Sequence, residues 1–216
     1  MDNLLQKEYI EYLNSLRPHV TQCNNVSISC IKSDVIDDAY FDIQDKKPSI
    51  KQPFGTGSAT YNNSNSKIIA VIDYENFLDR QTDDIIKKLE LKKCDFIVYH
   101  LDGNTFFIVN ELSQSSLSKN KLSDARQQLH NAVLHFSRTP AIKSFTDKFT
   151  DKLCVFSNKA KMIKTPDDMA EAFDIIRKHL PEPIAHDYKP ITKLNFKFIE
   201  TAYSGCIINI SFYTHF

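Results

Sequence analysis

Two apolar segments separated by a tight turn constrain the fold of this chain more than any other feature. Residues 94–100 (CDFIVYH) and 105–112 (TFFIVNEL) are rich in β-branched and aromatic side chains, which favour strands. Between them stands LDGN, and its Asp-Gly pair is a strong signal for a hairpin turn because glycine accepts the positive φ angles that such turns need. The sequence therefore predicts a β-hairpin over these two segments.

The turn decides which residues face one another across the hairpin. If the turn is centred on Gly103, partner residues have numbers that sum to about 206, and Asp95 faces Glu111. A two-residue turn would shift the register by one, which would place Asn110 opposite Asp95 and Glu111 on the other face. Directly opposed side chains have Cβ atoms roughly 4.5–5.5 Å apart. Two carboxylates at that distance repel unless they are protonated or bridged by a cation, so the pair is either a hard-metal site or two solvated residues at strand ends.

The order of the other elements predicts an α/β fold. After residue 66 the predicted elements are a buried strand (67–74), a short helix (82–90), the hairpin, a helix (121–138), a strand (152–158), a helix (166–180) and a second hairpin (193–200 with 205–213). Strands that are apolar throughout must be covered on both faces. We therefore expect a mixed β-sheet with a central hairpin flanked by helices.

The first 66 residues differ in composition from the rest of the chain. They are predicted to form a helix (3–16), a strand (26–32) and a flexible loop (44–66) rich in Asp, Lys, Pro, Gly, Ser and Asn. The GTGS segment of this loop lacks the GK[ST] of a phosphate-binding loop. We accordingly divide the chain into residues 1–66 and an α/β core, 67–216, that ends in the second hairpin.

Composition excludes several classes of protein. Lys and Arg together number 27 and so do Asp and Glu, so the net charge gives no general support for binding nucleic acid. The five cysteines are scattered without CxxC pairs, which argues against a zinc knuckle or a disulfide scaffold. No apolar run approaches the roughly 20 residues that span a bilayer, and no signal peptide is visible. We expect a cytoplasmic protein without a membrane partner.

The hairpin and the segment after it resemble the central motif of the PD-(D/E)xK nuclease superfamily. The pattern is Asp followed by apolar residues, a short turn, a second apolar strand ending in Glu-Leu, and a helix containing A-x-x-Q-L. The order of elements over residues 67–158 is similar to the family core, which is a helix, a hairpin with a third strand, a second helix and a further strand. This resemblance implies a restriction-endonuclease-like fold, with Asp95 and Glu111 as ligands of Mg²⁺ or Mn²⁺ and nucleic acid, DNA before RNA, as the partner.

The chain departs from the family pattern at the lysine. Where the family has Glu-x-Lys, residues 111–113 are Glu-Leu-Ser, and serine cannot supply the positive charge that orients the attacking water. Some family members place the lysine, or a glutamine near the metal, on the following helix, and the resemblance therefore points to Lys121 and Gln128. The two lie within about 20° on a helical wheel, at the flank of the apolar stripe, where solvated residues are expected as well.

Another acidic residue stands before the hairpin, as it often does in the family. Glu75 follows the predicted strand 67–74 and becomes an auxiliary metal ligand if that strand neighbours the hairpin. Otherwise Asp73 and Glu75 are loop or cap residues.

Three functions remain open on these patterns. The first is a metal-dependent nuclease-like protein that hydrolyses phosphodiester bonds, in keeping with the many such nucleases in defence and mobile-element systems. The second is a catalytically degenerate member that binds nucleic acid or protein, which the missing lysine and the neutral charge favour. The third is an interaction protein that uses the loop 44–66 and the aromatic tail, although tail aromatics such as Phe196 and Phe198 also suit a core. A homodimer or a protein partner stays open in each case.

Overall fold

The chain folds into an α/β structure whose described residues form two β-sheets and five helical segments. The computed structural model describes residues 1–16, 31–44, 47–80, 89, 91–113, 119–158, 183–201 and 207–210. Three predicted elements lie wholly or mostly outside this part of the chain: the helix 82–90 apart from residue 89, the helix 166–180, and residues 26–30 of the strand 26–32.

The larger sheet has seven strands. In spatial order they are β1 (Ser33–Ile36), β5 (Ile69–Asp73), β6 (Phe96–His100), β7 (Phe106–Ser113), β8 (Asp151–Asn158), β10 (Lys197–Thr201) and β9 (Ile184–His186). The first four strands in this order, β1, β5, β6 and β7, pair antiparallel. Strands β7, β8 and β10 run parallel to one another, and β9 pairs antiparallel with β10 at the edge of the sheet. The predicted mixed sheet is therefore confirmed, and the C-terminal ends of the three parallel strands lie at the same end of it.

Five helical segments and a smaller sheet complete the described structure. The segments are α1 (Leu4–Tyr9, π-helical, continuing as Ile10–Leu16), α2 (Tyr74–Asp79), α3 (Lys119–Arg138), α4 (Pro140–Thr146) and α5 (Lys189–Thr192). The smaller sheet has the order β11 (Ile207–Asn209), β4 (Ala59–Asn62), β2 (Tyr40–Ile43) and β3 (Lys51–Gln52). Helices α3 and α4 connect β7 to β8, as a parallel pair requires a crossover.

The two faces of the large sheet are covered differently. On one face, which we call the helix face, Ile97, Val109 and Phe156 belong to the core formed with the helices. On the other, the sheet face, Val98 and Ile108 pack in a second core with residues of the small sheet. The prediction of flanking helices is thus right for one face, whereas the smaller sheet covers the other. No helix in the described part of the chain is long and apolar enough to cross a membrane.

The central hairpin has the register of a turn centred on Gly103. Phe96 faces Asn110 and Ile97 faces Val109, and the recorded pairs end there, one residue short of Asp95 and Glu111. The reason for the glycine differs from the expected one, because Gly55 is the only described glycine with a positive φ. A Cβ on Gly103 would lie 2.4 Å from Cε1 of His100. A larger residue there would have to displace the His100 imidazole, and no positive φ is involved.

In its described residues, 44 and 47–66, the predicted flexible loop contains regular structure. It contains β3 and β4, and Ala59 and Tyr61 are buried between the two sheets. The amide of Gly57 in the GTGS segment donates to the Asp42 carboxylate at 2.7 Å. That amide thus binds a carboxylate of the protein itself.

The predicted C-terminal hairpin is wrong. β10 pairs with β8 and β9 in the large sheet, whereas β11 pairs in parallel with β4 in the small one. Because β8 and β9 occupy both sides of β10, its sequence neighbour cannot pair with it, and the local turn signal does not decide. Phe196 and Phe198 are buried, as the core interpretation of the tail predicts. The pairing of β4 with β11 also joins strands from both sides of residue 66.

Candidate functional site

Three buried acidic side chains lie at the end of the large sheet where its parallel strands finish. Asp95 directly precedes β6, Glu111 lies near the end of β7, and Glu200 lies near the end of β10. Glu111 is in register with Phe156, and Phe156 with Glu200, so the two glutamates share the helix face, whereas Asp95 lies one residue before the paired part of β6. Asp95, Glu111 and Glu200 are 8%, 9% and 5% exposed, and we call them the carboxylate row.

The Asp95 side chain is fixed against the backbone of β7. Its own amide donates to the Asn110 carbonyl at 3.1 Å, and its Oδ2 accepts from the Leu112 amide at 2.6 Å. The carboxylate thereby occupies the place of a backbone acceptor at the end of the ladder. The recorded pairing of β6 with β7 ends at Phe96 and Asn110, and the Asp95 amide bonds to that same Asn110, as in a β-bulge. Asp95 and Glu111 thus both lie at the open end of the hairpin, and their direct opposition stays a prediction.

The Cys94 thiol is buried near these two carboxylates and is affected by their negative charge. Burial raises the pKa of the Cys94 thiol well above its usual value, and the charges of Glu111 and Asp95 raise it further. Cys94 therefore stays protonated near neutral pH, which makes it a poor nucleophile. The same repulsion favours a cation or a proton between the two carboxylates.

The residues before the hairpin contact Asp95 through their backbones. Strand β5 pairs with β6, so the condition for Glu75 to approach the hairpin is met. The amides of Tyr74 and Glu75 point to the Asp95 carbonyl at 2.9 and 3.2 Å. The Glu75 carboxylate lies 3.8 Å from Lys93 Nζ. Its role as an auxiliary metal ligand stays a prediction.

Asp73 is a cap residue. Its Oδ1 accepts from the Asn76 amide at 3.0 Å at the start of α2, and its Oδ2 lies 3.3 Å from Lys32 Nζ. Of the two alternatives considered for this residue, the cap is the one that the structure has.

Helix α3 begins near the edge where the carboxylate row lies. It packs on β7 and β8, and its direction brings Lys121 to the same end of the sheet as Glu111. Gln128 lies two turns further on, about 10.5 Å along the helix axis, closer to the middle of the sheet. Both side chains are half-buried at the flank of the apolar stripe. Lys121 is therefore better placed than Gln128 to act beside the carboxylates, and both assignments stay predictions.

Ser113, which stands where the PD-(D/E)xK pattern would have lysine, lies on the same face as Glu111. It is half-buried at the last position of β7 and in register with the buried Asn158. Neither Ser113 nor its neighbour Asn158 therefore supplies a positive charge at this position.

Glu200 and its surroundings were not predicted from the sequence. His186 Nε2 lies 2.9 Å from Glu200 Oε2, and the Arg126 guanidinium lies 5.3 Å from the centre of the Phe198 ring. The available signal was that FIVNE and FKFIE both place glutamate after an apolar strand. These two glutamates are expected at the same end of the sheet only if β7 and β10 are parallel. The predicted C-terminal hairpin gave β10 a different partner, so this arrangement was not foreseen.

The donor set suits a small hard cation with an open coordination sphere. Within the described ranges no group of three or more His, Cys, Asp and Glu side chains could hold a metal ion. Mg²⁺ is usually held by one or two carboxylates and completes its shell with water and phosphate oxygens. Asp95 and Glu111 meet that number of ligands, because both are buried carboxylates at the same end of the hairpin.

Comparison of the chain with protein-family models finds no match. Comparisons with curated proteins and with solved structures find none either.

Proposed function

We propose that this chain is a metal-dependent nuclease-like protein that hydrolyses phosphodiester bonds in nucleic acid, DNA before RNA. The order of strand β5, hairpin β6–β7, helix α3 and parallel strand β8 supports a restriction-endonuclease-like fold. The observation that carries the proposal is the register of the hairpin, with Phe96 opposite Asn110, which leaves Asp95 and Glu111 as the next residue of each strand at the end of the sheet where the parallel strands finish.

The two carboxylates would hold Mg²⁺ or Mn²⁺. A bound divalent cation supplies Lewis-acid activation of water and neutralises charge on the phosphate. The Leu112 amide holds Asp95 in one orientation, and burial keeps the pair away from competing solvent. These features support preorganisation of the ligands before the metal arrives.

Lys121 supplies the positive charge that Ser113 lacks. A lysine ammonium on α3 can approach the phosphate from the helix side of the row and stabilise the charge that develops on its oxygens. Gln128 contributes a polar side chain further along the helix.

A cleavage assay with matched variants tests the proposal. The chain is incubated with single- and double-stranded DNA and with RNA, with Mg²⁺, Mn²⁺ or a chelator. We expect metal-dependent cleavage that falls by about 100-fold or more in Glu111→Gln and in Asp95→Asn, because each removes a ligand charge. The control is Asp151→Asn, which removes a carboxylate that is 7% exposed, at the opposite end of the sheet and 3.3 Å from Lys197. Equal loss in all three variants would contradict the assignment.

The second candidate is a catalytically degenerate nuclease-fold protein that binds nucleic acid or a protein partner. The observation in its favour is Ser113 at the lysine position. The same assay separates the two candidates, because a degenerate member binds nucleic acid without cutting it, with or without metal. Lys121→Met provides the sharper test: it abolishes cleavage in the first case and leaves metal-independent binding largely unchanged in the second.

A further inference from the structure

A cavity of about 500 Å³ opens on the helix face, away from the carboxylate row. It lies between the end of α3, helix α4 and the turn that joins α5 to β10. Lys152, the second residue of β8, lines it, whereas Phe156 of the same strand is level with the row. The separation along the strand is about 13 Å, so the cavity and the row are distinct places.

Three lysines and one aspartate line this cavity. Lys152 is 6% exposed, and its Nζ lies 2.9 Å from Asp147 Oδ1 and 5.7 Å from the centre of the Phe196 ring. Lys143 pairs with the other oxygen of the same carboxylate. Hydrogen bonds from Lys143 and Lys152 lower the pKa of Asp147, so that carboxylate stays ionised.

The lining carries an excess of positive charge. Two lysines share the Asp147 carboxylate, and the Lys193 ammonium has no ion pair or hydrogen bond within the described residues. Three positive charges against one negative charge leave two. Gathering lysines around a concavity costs free energy through repulsion unless an anion enters.

A left-handed residue shapes one wall of the cavity. Asn195 has a φ of 63°, and its amide donates to the Thr192 carbonyl at 3.0 Å. This turn carries Lys193 and Asn195 to the cavity. Asparagine tolerates this conformation, which is common where a helix ends.

We propose that this cavity binds a small phosphate monoester, of the size of a nucleoside 5′-monophosphate. A monoester carries about −1.5 to −2 charges near neutral pH, which matches the two excess positive charges, whereas a phosphodiester carries about one. The cavity lies within the range of roughly 300–1,000 Å³ that is usual for small-molecule sites. Phe149 and Phe196 add apolar wall for the organic part of the ligand. The site is independent of the proposed nuclease function.

Calorimetric titration of the full chain tests the site. The ligands are inorganic phosphate, a nucleoside 5′-monophosphate and a dinucleoside phosphodiester. We expect the monoester to bind and its Kd to rise about tenfold in Lys193→Ala, the loss of one unpaired charge contact. Lys148→Ala is the matched control, because Lys148 is an exposed lysine that follows Asp147 and does not line the cavity. Thermal unfolding of both variants checks that they remain folded.

The pattern across ligands and variants decides the outcome. Affinity for the monoester should fall between about pH 7.5 and about pH 5.5, because the phosphate gains its second proton near pH 6. No binding of the monoester, or equal affinity in Lys193→Ala and the unchanged chain, would overturn the proposal. So would a diester that binds as tightly as the monoester, which would instead indicate contact with a nucleic-acid backbone.

Discussion

The His135 imidazole lies buried on α3, and its Nδ1 is 2.9 Å from the Tyr12 hydroxyl of α1. Burial, and then the charge of Arg138, lower the pKa of His135 to about 4, whereas an unfolded chain has a histidine pKa of about 6.5. Between these values the unfolded state binds more protons than the folded one. The free energy of unfolding therefore falls as the pH drops through that window.

We expect this histidine to contribute about 1 kcal/mol of lost stability between about pH 7.5 and about pH 5, after allowance for partial solvent screening. Urea unfolding at the two pH values measures it. In His135→Phe that part of the pH dependence should disappear, even if the variant is less stable at both values because it loses the contact with Tyr12. An unchanged difference between the two pH values in the variant would contradict the assignment to His135.

At the scale of elements, the central hairpin could be predicted because its signals are local. Two apolar segments and the Asp-Gly turn specify the strands, and the centre of the turn specifies that Phe96 faces Asn110. The C-terminal segments have similar local signals and yet do not pair with each other. Which strand lies beside β10 depends on the whole sheet, and that information is not contained in the segment itself.

The same distinction separates the residues of the candidate site. Asp95 and Glu111 reach the same end of the hairpin through one turn, so the sequence alone limits their arrangement to two registers, and the structure has the one with Phe96 opposite Asn110. Glu200 reaches the same row only through two parallel pairings, β7 with β8 and β8 with β10. Pairing at such long range is set by burial of complete strands, which periodicity does not reveal.

The link between β3 and β4 depends on a close backbone approach. A Cβ on Gly57 would lie 2.6 Å from the Asp42 Cβ and 2.7 Å from the Ile43 carbonyl oxygen. Gly57→Ala must therefore push β2 and β4 apart, and we expect a loss of about 1–3 kcal/mol in urea unfolding.

Gly55→Asn is the matched control for this substitution. Gly55 has a φ of 85°, but nothing lies within 4 Å of the position that its Cβ would occupy. Asparagine tolerates the left-handed region, so the control should cost clearly less. If both variants are equally stable, the contact with Asp42 does not restrict the loop.

At the scale of the whole molecule, the small sheet acts as a lid over the sheet face of the large one. Strands β2, β3 and β4 were not predicted, because they are two to four residues long and β3 is polar, whereas β11 lies within the predicted strand 205–213. Strands that short are specified by their partners rather than by their own sequence. The Asn110 side chain donates to the Tyr61 hydroxyl at 2.5 Å, which ties the hairpin to this lid directly behind Glu111.

Ile208 tests whether the two sheets unfold together. It is 1% exposed in the core between the sheets and pairs with Tyr61, whereas its neighbour Ile207 is half-buried. We expect Ile208→Ala to lower the free energy of unfolding by about 2–5 kcal/mol and Ile207→Ala to cost clearly less. Hydrogen exchange gives the sharper result: if the sheets form one cooperative unit, amides of β6 and β7 lose protection in Ile208→Ala together with those of β4. Faster exchange confined to β4 and β11 would mean instead that the lid opens separately, and that the hairpin carrying Asp95 and Glu111 holds its structure without it.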